Sequence, residues 1–368
     1  MRLTELAVAD WRNLPVARLP CDARFVVLHG DNAQGKTNLL EAVWTLANLR
    51  SFRELRQRRL IREGAKLARV QGEVVGRSGA RRMHWSRGLQ GGRNLKLDGR
   101  PVHDLGEWFD VLRAILFCPE HASIVRGEPG LRRQFVDRAA FTARPAHLEL
   151  VRQYRRIVQQ KAALLRSGRP DPALLGTWSA QLAQVGAELT HRRQALLDEL
   201  SGPFSEQHAA IAGSAEVSLS LRTTGDPRAD PAQLQEALIA KMAEAEADER
   251  RRGMVLVGPH RDDLDIRVQG RSARRFASQG QVRSIVLALK LAEIEAARRR
   301  GEAPLFVLDD LTSELDQRRM HRLVDLLAGL DNQVWITTTD PRWLGPLPSG
   351  DSLRFAVHDG IVDEPIPG

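Results

Sequence analysis

Eight residues near the amino terminus, Gly30-Asp31-Asn32-Ala33-Gln34-Gly35-Lys36-Thr37, have the types and order that hold a phosphate chain. They fit the pattern G-x-x-x-x-G-K-[ST] at every position. The glycines let the backbone turn its N–H groups inward around a β-phosphate. A helix opening at the end of the loop aims its positive end at the same charge. Lys36 then supplies a mobile cation to the β and γ oxygens, and the Thr37 hydroxyl is placed to ligate magnesium. ATP and Mg2+ are the expected ligands. Far downstream, Pro304-Leu305-Phe306-Val307-Leu308 runs into Asp309-Asp310. An apolar strand ending in two carboxylates puts Asp309 where it holds the metal through water, with Asp310 orienting the attacking water. Lys36 and Asp310 are thus the expected catalytic residues, and Thr37 and Asp309 the metal site. A third string, Ala277-Ser278-Gln279-Gly280-Gln281, opens a helix upstream of that strand. Ser278 and Gly280 there form either an anion-binding nest or, for Ser278, a simple helix cap.

These residues need particular elements around them. Phe25–Leu28 reads as a buried strand running into the phosphate loop, and Leu39, Leu40, Val43 and Leu46 line one face of the helix after it. Strands are also expected at Leu6–Val8, Ala68–Val75, Arg81–Ser86, Val217–Leu221, Met254–Val257, Leu264–Val268, Leu305–Leu308 and Val334–Thr337. Between them the pattern is helical. Leu148, Val151, Val158, Ala162 and Leu165 make one stripe. Beyond the breaker Gly168-Arg169-Pro170, a heptad-like seam follows at Leu175, Trp178, Leu182, Val185, Leu189 and Leu196, interrupted at Arg192. The pair reads as an antiparallel helical arm or as two ordinary core helices. Pro231–Arg252 is a further, charged helix, and another runs from about Gln281 to Arg300. α/β character at both ends with helices between indicates one sheet domain interrupted by a helical insertion.

Composition narrows the partners. The chain has 368 residues, 42% apolar and 27% charged, which fits a soluble globular protein of one large domain or two. Its 55 Lys and Arg against 46 Asp and Glu leave a net charge of +9. That favours a polyanion, nucleic acid before a membrane surface. Arg50, Arg53, Arg56, Arg58, Arg59, Arg62, Lys66 and Arg69 crowd one stretch, opposed by Glu54 and Glu63. The DNA contacts are expected at Arg53, Arg56, Arg58, Arg59 and Arg62, salt-sensitive and largely independent of sequence. The alternative is a solvated, partly self-paired surface. Phe52 is the one aromatic there, so stacking on single strands is not supported. Two cysteines, Cys21 and Cys118, with no CxxC spacing, exclude a disulfide scaffold and a zinc finger and fit a reducing cytosol. The amino terminus has no apolar signal core, and Lys290 and Glu293 interrupt the best apolar run, so a cytoplasmic protein is expected.

Ser278-Gln279-Gly280-Gln281 resembles the LSGGQ signature of ABC-type ATPases. Ser313-Glu314-Leu315-Asp316 stands where those proteins carry the D-loop, and Thr337-Thr338-Thr339-Asp340 where they carry a switch histidine, which this chain lacks. Over nearly its whole length the chain resembles the RecF family of bacterial recombination mediators, in the ABC/SMC group. The resemblance runs through Trp11-Arg12-Asn13, Gly30–Thr37, Ser51-Phe52-Arg53, Leu60–Gly64, Gly127-Glu128-Pro129, Arg132-Arg133, Asp137, Gly258–Leu264, Ser278–Gln281, Leu308–Asp310 and Glu314–Asp316. Val282 departs from it, since relatives usually carry a second Gln there.

The resemblance implies an ABC-type P-loop ATPase head, α/β in class, with an inserted helical arm: head residues 1–122, arm 123–206, head 207–368. It implies an ATP-dependent DNA-binding protein of gap repair, replication restart and the SOS response. Such a protein is a weak DNA-dependent ATPase that works with RecO and RecR to load RecA at single-/double-strand junctions. It also implies an ATP-dependent homodimer in which Ser278, Gly280, Gln281 and Asp316 reach the nucleotide of the other subunit, and it adds Arg12 and Asn13 to the nucleotide site. His260 is either a ligand or proton carrier, or a structural residue. Two rivals stand beside this reading: a transporter ATPase subunit, and an ATP-dependent nuclease of the overcoming-lysogenization type.

Overall fold

Phe25–His29 is buried on both faces, as a central strand of a parallel sheet must be. In a computed structural model of the chain it lies between Val334–Thr338 and Ser352–His358, parallel to both. The sheet continues through Leu305–Leu308 to Ala114–Phe117, again parallel. The register sets Thr338 beside His29 and Ile336 beside Leu308. Three strand ends therefore deliver the phosphate loop, the Asp309-Asp310 pair and the threonine run to one edge of the sheet, where open α/β sheets bind ligands. Neither Ala114–Phe117 nor Ser352–His358 is among the strands expected from sequence. The structure describes residues 1–77, 79–167, 171–213, 216–311, 317–348 and 350–367. The expected D-loop residues, Asp316 included, and the breaker at 168–170 lie outside the described residues.

An antiparallel sheet belongs to the same compact unit, which comprises Met1–His121, Ala210–Ala212 and Glu293–Gly368. Its order is Leu14–Pro20, Arg2–Trp11, Leu67–Gly76, Gly79–Gly88, Arg93–Leu97 and Arg100–Pro101. Alternation puts Leu3, Leu6, Val70, Val74, Met83 and Trp85 inside, with Trp11 packed edge-on against Trp85 at 5.4 Å. Pro15 and Pro20, which cannot donate to a ladder, confine Leu14–Pro20 to the sheet edge.

The second unit comprises Ala122–Ala209 and Gly213–Ala292. Here Val151, Ile157 and Leu165 of helix His147–Arg166 pack on Leu175, Leu182, Val185 and Leu189 of helix Pro172–Ala212. Leu234, Leu238 and Met242 of Pro231–Arg252 join the same core, so the seam is shared by three helices. Arg192, the break in the heptad pattern, pairs with Glu188, while the fully enclosed cation is its neighbour Arg193. Arg193 holds Asp137 at 2.9 Å and Asp262 at 3.1 Å. Lys161 and Glu249 form another enclosed pair at 2.7 Å.

Met254–Val257 does not form the expected strand. Its backbone is satisfied by side chains instead: Leu256 N donates to the Glu249 carboxylate, and the Val255 carbonyl accepts from His260 and Arg261. A segment whose polar groups are claimed this way has no ladder to offer.

Candidate nucleotide site and basic surface

The loop from Gly30 to Gly35 is shaped by steric necessity. Gly30 has φ 140°, and a Cβ there would collide with the Val357 carbonyl. Gly35 has φ 119°, and a Cβ would sit 3.1 Å from Asn13 Oδ1. Only glycine takes both positions without displacing backbone. Gln34 ties the loop to the carboxyl-terminal strands: its Oε1 accepts from Asp359 N at 2.6 Å, and its carbonyl accepts from Gly360 N at 2.9 Å. Asp31, Asn32 and Ala33 form the exposed crest. Lys36, at the start of helix Lys36–Asn48, donates to the carbonyls of Gly30 at 2.7 Å and Asp31 at 2.6 Å. Burial lowers the pKa of this ammonium, against the opposing pull of Asp310, Asp309 and Asp31.

Opposite Lys36 lies a cluster of hard oxygens. The Thr37 hydroxyl donates to Asp309 Oδ1 at 2.9 Å, and the Thr337 hydroxyl donates to the same oxygen at 2.7 Å. Thr337 in turn accepts the Asp310 N–H at 2.8 Å, which fixes Asp310 in a left-handed conformation of φ 51°. Burial raises the Asp309 carboxyl above its ordinary range, outweighing the two hydroxyls and Arg53, and Asp310 adds to the rise. A buried carboxylate with two hydroxyls on one oxygen, and a second carboxylate next to it, is an oxygen donor set that suits magnesium. Thr337 is the member that sequence reasoning missed. The threonine run was visible, but not that its first hydroxyl bridges both aspartates. Thr338 instead caps the next turn, bonding Asp340 through both its main-chain N–H and its carbonyl.

Arg12 and Asn13 border a cleft of about 600 Å³ with Asn38, Arg53, Glu54, Arg59, Ile61 and Glu63. Asn13 Oδ1 accepts from Asn38 at 2.7 Å, and its amide donates to the Gln34 carbonyl at 3.2 Å. Arg12 makes a bidentate pair with Glu41, 2.7 Å on each arm, and Glu41 is fully buried. Glu41 has no motif to announce it, and the Ser51-Phe52-Arg53 string does not reveal that Ser51 bonds it.

The basic stretch folds as a turn leading into the short helix Gln57–Leu60. Arg53, Arg56, Arg58 and Arg59 are exposed, and Arg62 is half-buried against Asp10 at 2.9 Å. Arg59 meets Glu54 at 3.3 Å, so part of the charge is internally paired and the rest faces solvent.

In the second unit, Ser278 and Gln281 cap helix Gln279–Arg299 reciprocally. Ser278 N donates to Gln281 Oε1 at 2.7 Å, and Gln281 N donates to Ser278 Oγ at 3.2 Å. Ser278 and Gln281 are exposed and Gly280 is half-buried beside them. His260 is used at both nitrogens: Tyr154 OH donates to Nδ1 at 2.7 Å, and Nε2 donates to the Val255 carbonyl at 3.1 Å. Burial, with Arg261 and Arg133 adding, pushes its pKa down to about 4. It is a neutral structural residue at physiological pH.

A strand, a phosphate loop, its helix and a carboxylate-tipped parallel strand of the same sheet define a P-loop ATPase head of the ABC type. The family model described as the RecF/RecN/SMC N terminal domain matches residues 2–346. The chain is 40% identical to a DNA replication and repair protein RecF of Anaeromyxobacter sp. (strain Fw109-5), covering 98% of this chain and 99% of that one. It is 42% identical to the one of Citrifermentans bemidjiense, covering 98% and 100%. The solved structure of "the recombination mediator protein RecF-ATPrS in RecFOR pathway" superposes with a TM-score of 0.89 at 27% identity, covering 99% and 98%. An SMC head bound to the C-winged helix domain of ScpA shares the fold, with a TM-score of 0.60 at 14% identity, covering 100% and 97%. The chain belongs to the RecF family. Among the described residues no helix is long and apolar enough to cross a membrane.

Proposed function

We propose that this protein is an ATP-dependent, DNA-binding recombination mediator of the cytoplasm, acting in gap repair, replication restart and SOS induction. ATP binding joins two copies into a dimer, and slow, DNA-dependent hydrolysis separates them. The observation that carries the reading is the placement of Thr37, Thr337, Asp309 and Asp310 at the mouth of the phosphate loop, in the same unit as the exposed arginine turn. The RecF structures described with ATP and ATPrS support ATP as the ligand. The place of that RecF structure in the RecFOR pathway supports RecO and RecR as partners, with RecA loading at gapped or junction DNA as the outcome. Nothing in the geometry favours the transporter or nuclease alternatives.

In this reading the loop N–H groups from Gly30 to Thr37 and the Lys36 ammonium surround the phosphates. Thr37 and Asp309 hold Mg2+, which when bound neutralises charge on the phosphate oxygens. Asp310 orients the attacking water. Arg12 and Asn13 flank the nucleotide, and Ser278, Gly280, Gln281 and Asp316 of a second copy complete the site. Arg53, Arg56, Arg58, Arg59 and Arg62 meet DNA phosphates. Sedimentation velocity with and without ATP, in the presence and absence of gapped duplex, tests the scheme. The dimer mass is expected only with ATP, and it should carry the DNA. A protein that saturates with ATP, stays monomeric and leaves the DNA free would refute it.

A further inference from the structure

The phosphate-loop helix and the arginine turn are joined by one buried carboxylate. Glu41 lies one helical turn beyond Thr37 in helix Lys36–Asn48, and its side chain has no solvent exposure. An enclosed charge must be paired. Glu41 is paired on two sides. Arg12 donates to Oε2 from Nε and to Oε1 from a terminal nitrogen, each at 2.7 Å, and the Ser51 hydroxyl donates to Oε1. Ser51 Oγ also accepts the backbone N–H groups of Arg53 at 2.9 Å and Glu54 at 2.7 Å. The Glu54 carboxylate then accepts from Arg56 N at 2.8 Å and from the Arg59 guanidinium at 3.3 Å. Arg12 closes the circuit by donating to the Arg59 carbonyl at 3.1 Å. An unbroken run of hydrogen bonds thus leads from the helix carrying Lys36 and Thr37 to the arginines that face solvent.

We propose that Glu41 is a positioning residue that couples the nucleotide site to the arginine turn, with Ser51 as the link. The inference rests on the proposed function and names its regulation. Phosphates seated on Lys36 and Thr37 bear on the first turns of the helix that carries Glu41. Glu41 cannot part from Arg12 and Ser51 without leaving a buried charge unpaired, so helix and turn move together. By linkage the effect is reciprocal: DNA on the arginines tightens nucleotide, and nucleotide tightens DNA, by the same factor.

The test is titration of the full chain with a fluorescent ATP analogue, with and without duplex DNA, and of labelled duplex with and without ATP. Wild-type protein should show the same coupling factor in both directions, roughly 5- to 150-fold. Ser51→Ala removes the Ser51 branch of the circuit and leaves the Arg12–Glu41 pair with its Arg59 carbonyl contact, and Ser51 is not among the residues lining the cleft. Its nucleotide affinity without DNA should stay within about twofold of wild type, while its coupling factor falls at least about threefold. Glu41→Gln, which weakens both branches, should bring the coupling factor below about twofold, with thermal melting as the check on its folding. Wild-type coupling in Ser51→Ala, or a wild-type factor of one with both ligands bound, would overturn the relay alone. Failure of the wild-type protein to bind ATP or DNA at all would overturn the proposed function and the relay with it.

Discussion

Asp309 and Asp310 are neighbours with different surroundings, and the difference predicts different mutants. Asp310 is held through its backbone N–H by Thr337, a bond that a side-chain substitution leaves in place. Asp310→Asn should therefore keep ATP bound and accumulate the closed dimer, with turnover down by at least about a hundredfold, the usual scale for general-base loss. Asp309 accepts both threonine hydroxyls on one oxygen, so Asp309→Asn disturbs the metal site itself and should raise the Mg2+ concentration needed for ATP binding. Steady-state ATPase and Mg2+ titration separate the two, and wild-type turnover in Asp310→Asn would sink the assignment. The phosphate loop and this pair were legible in sequence because their chemistry is carried by residue type at fixed spacing along one loop or strand end. The contacts of Thr337, Glu41 and Ser51 were not, because each acts on a partner brought near only by the register of the sheet or the packing of a helix.

At the level of elements, the arginine turn and the Gly258–Leu264 segment make separate predictions. Reversing Arg56, Arg58 and Arg59 to Glu together should weaken duplex binding and flatten its dependence on salt, since each phosphate contact contributes about one to the slope. Unchanged affinity and slope with ATP binding intact would remove this turn from the DNA interface. In the second unit, His260 is buried neutral, its pKa pushed down to about 4 from 6.5. The unfolded chain therefore binds the extra proton first, and stability falls as pH drops from about 6.5 to about 4, by roughly 3 kcal/mol in all. Asp137 acts lower on the scale. Burial opposes its ionisation, but Arg193 and His147 outweigh that and hold it at about 2, so its contribution is lost only below about pH 4. Urea unfolding at stepped pH should show the first slope in wild type and not in His260→Gln. The helices here were legible from their 3.6-residue periodicity. Met254–Val257 misled because four apolar residues in a row do not reveal that Glu249, His260 and Arg261 take up the backbone. Leu14–Pro20 was passed over because its two prolines disguise an edge strand.

For the whole molecule, the phosphate loop belongs to one unit and Ser278 to the other, and the proposed ATP-dependent dimer would pair each loop with Ser278 of the second copy. Lys36→Arg and Ser278→Arg should each be nearly inactive alone. Mixed in equal amounts, about half the dimers are heterodimers with one intact site each, so roughly a quarter of wild-type turnover should return. No recovery, with heterodimers demonstrated, would mean that each subunit completes its own site. The central sheet has one more consequence, for synthesis. Phe25–His29 is flanked by Val334–Thr338 and Ser352–His358, and the loop after it is clasped by Asp359 and Gly360. A nascent chain emerges amino terminus first, at about 5–20 residues per second. Phe25–His29 must therefore wait for its first ladder until Val334–Thr338 has left the ribosome, and the loop after it waits for its clasp until Gly360 has followed. For roughly half a minute of translation the Gly30–Thr37 segment exists as peptide without its clasp, so under the proposed coupling a ribosome stalled short of Gly360 would display the arginine turn with no nucleotide control over it.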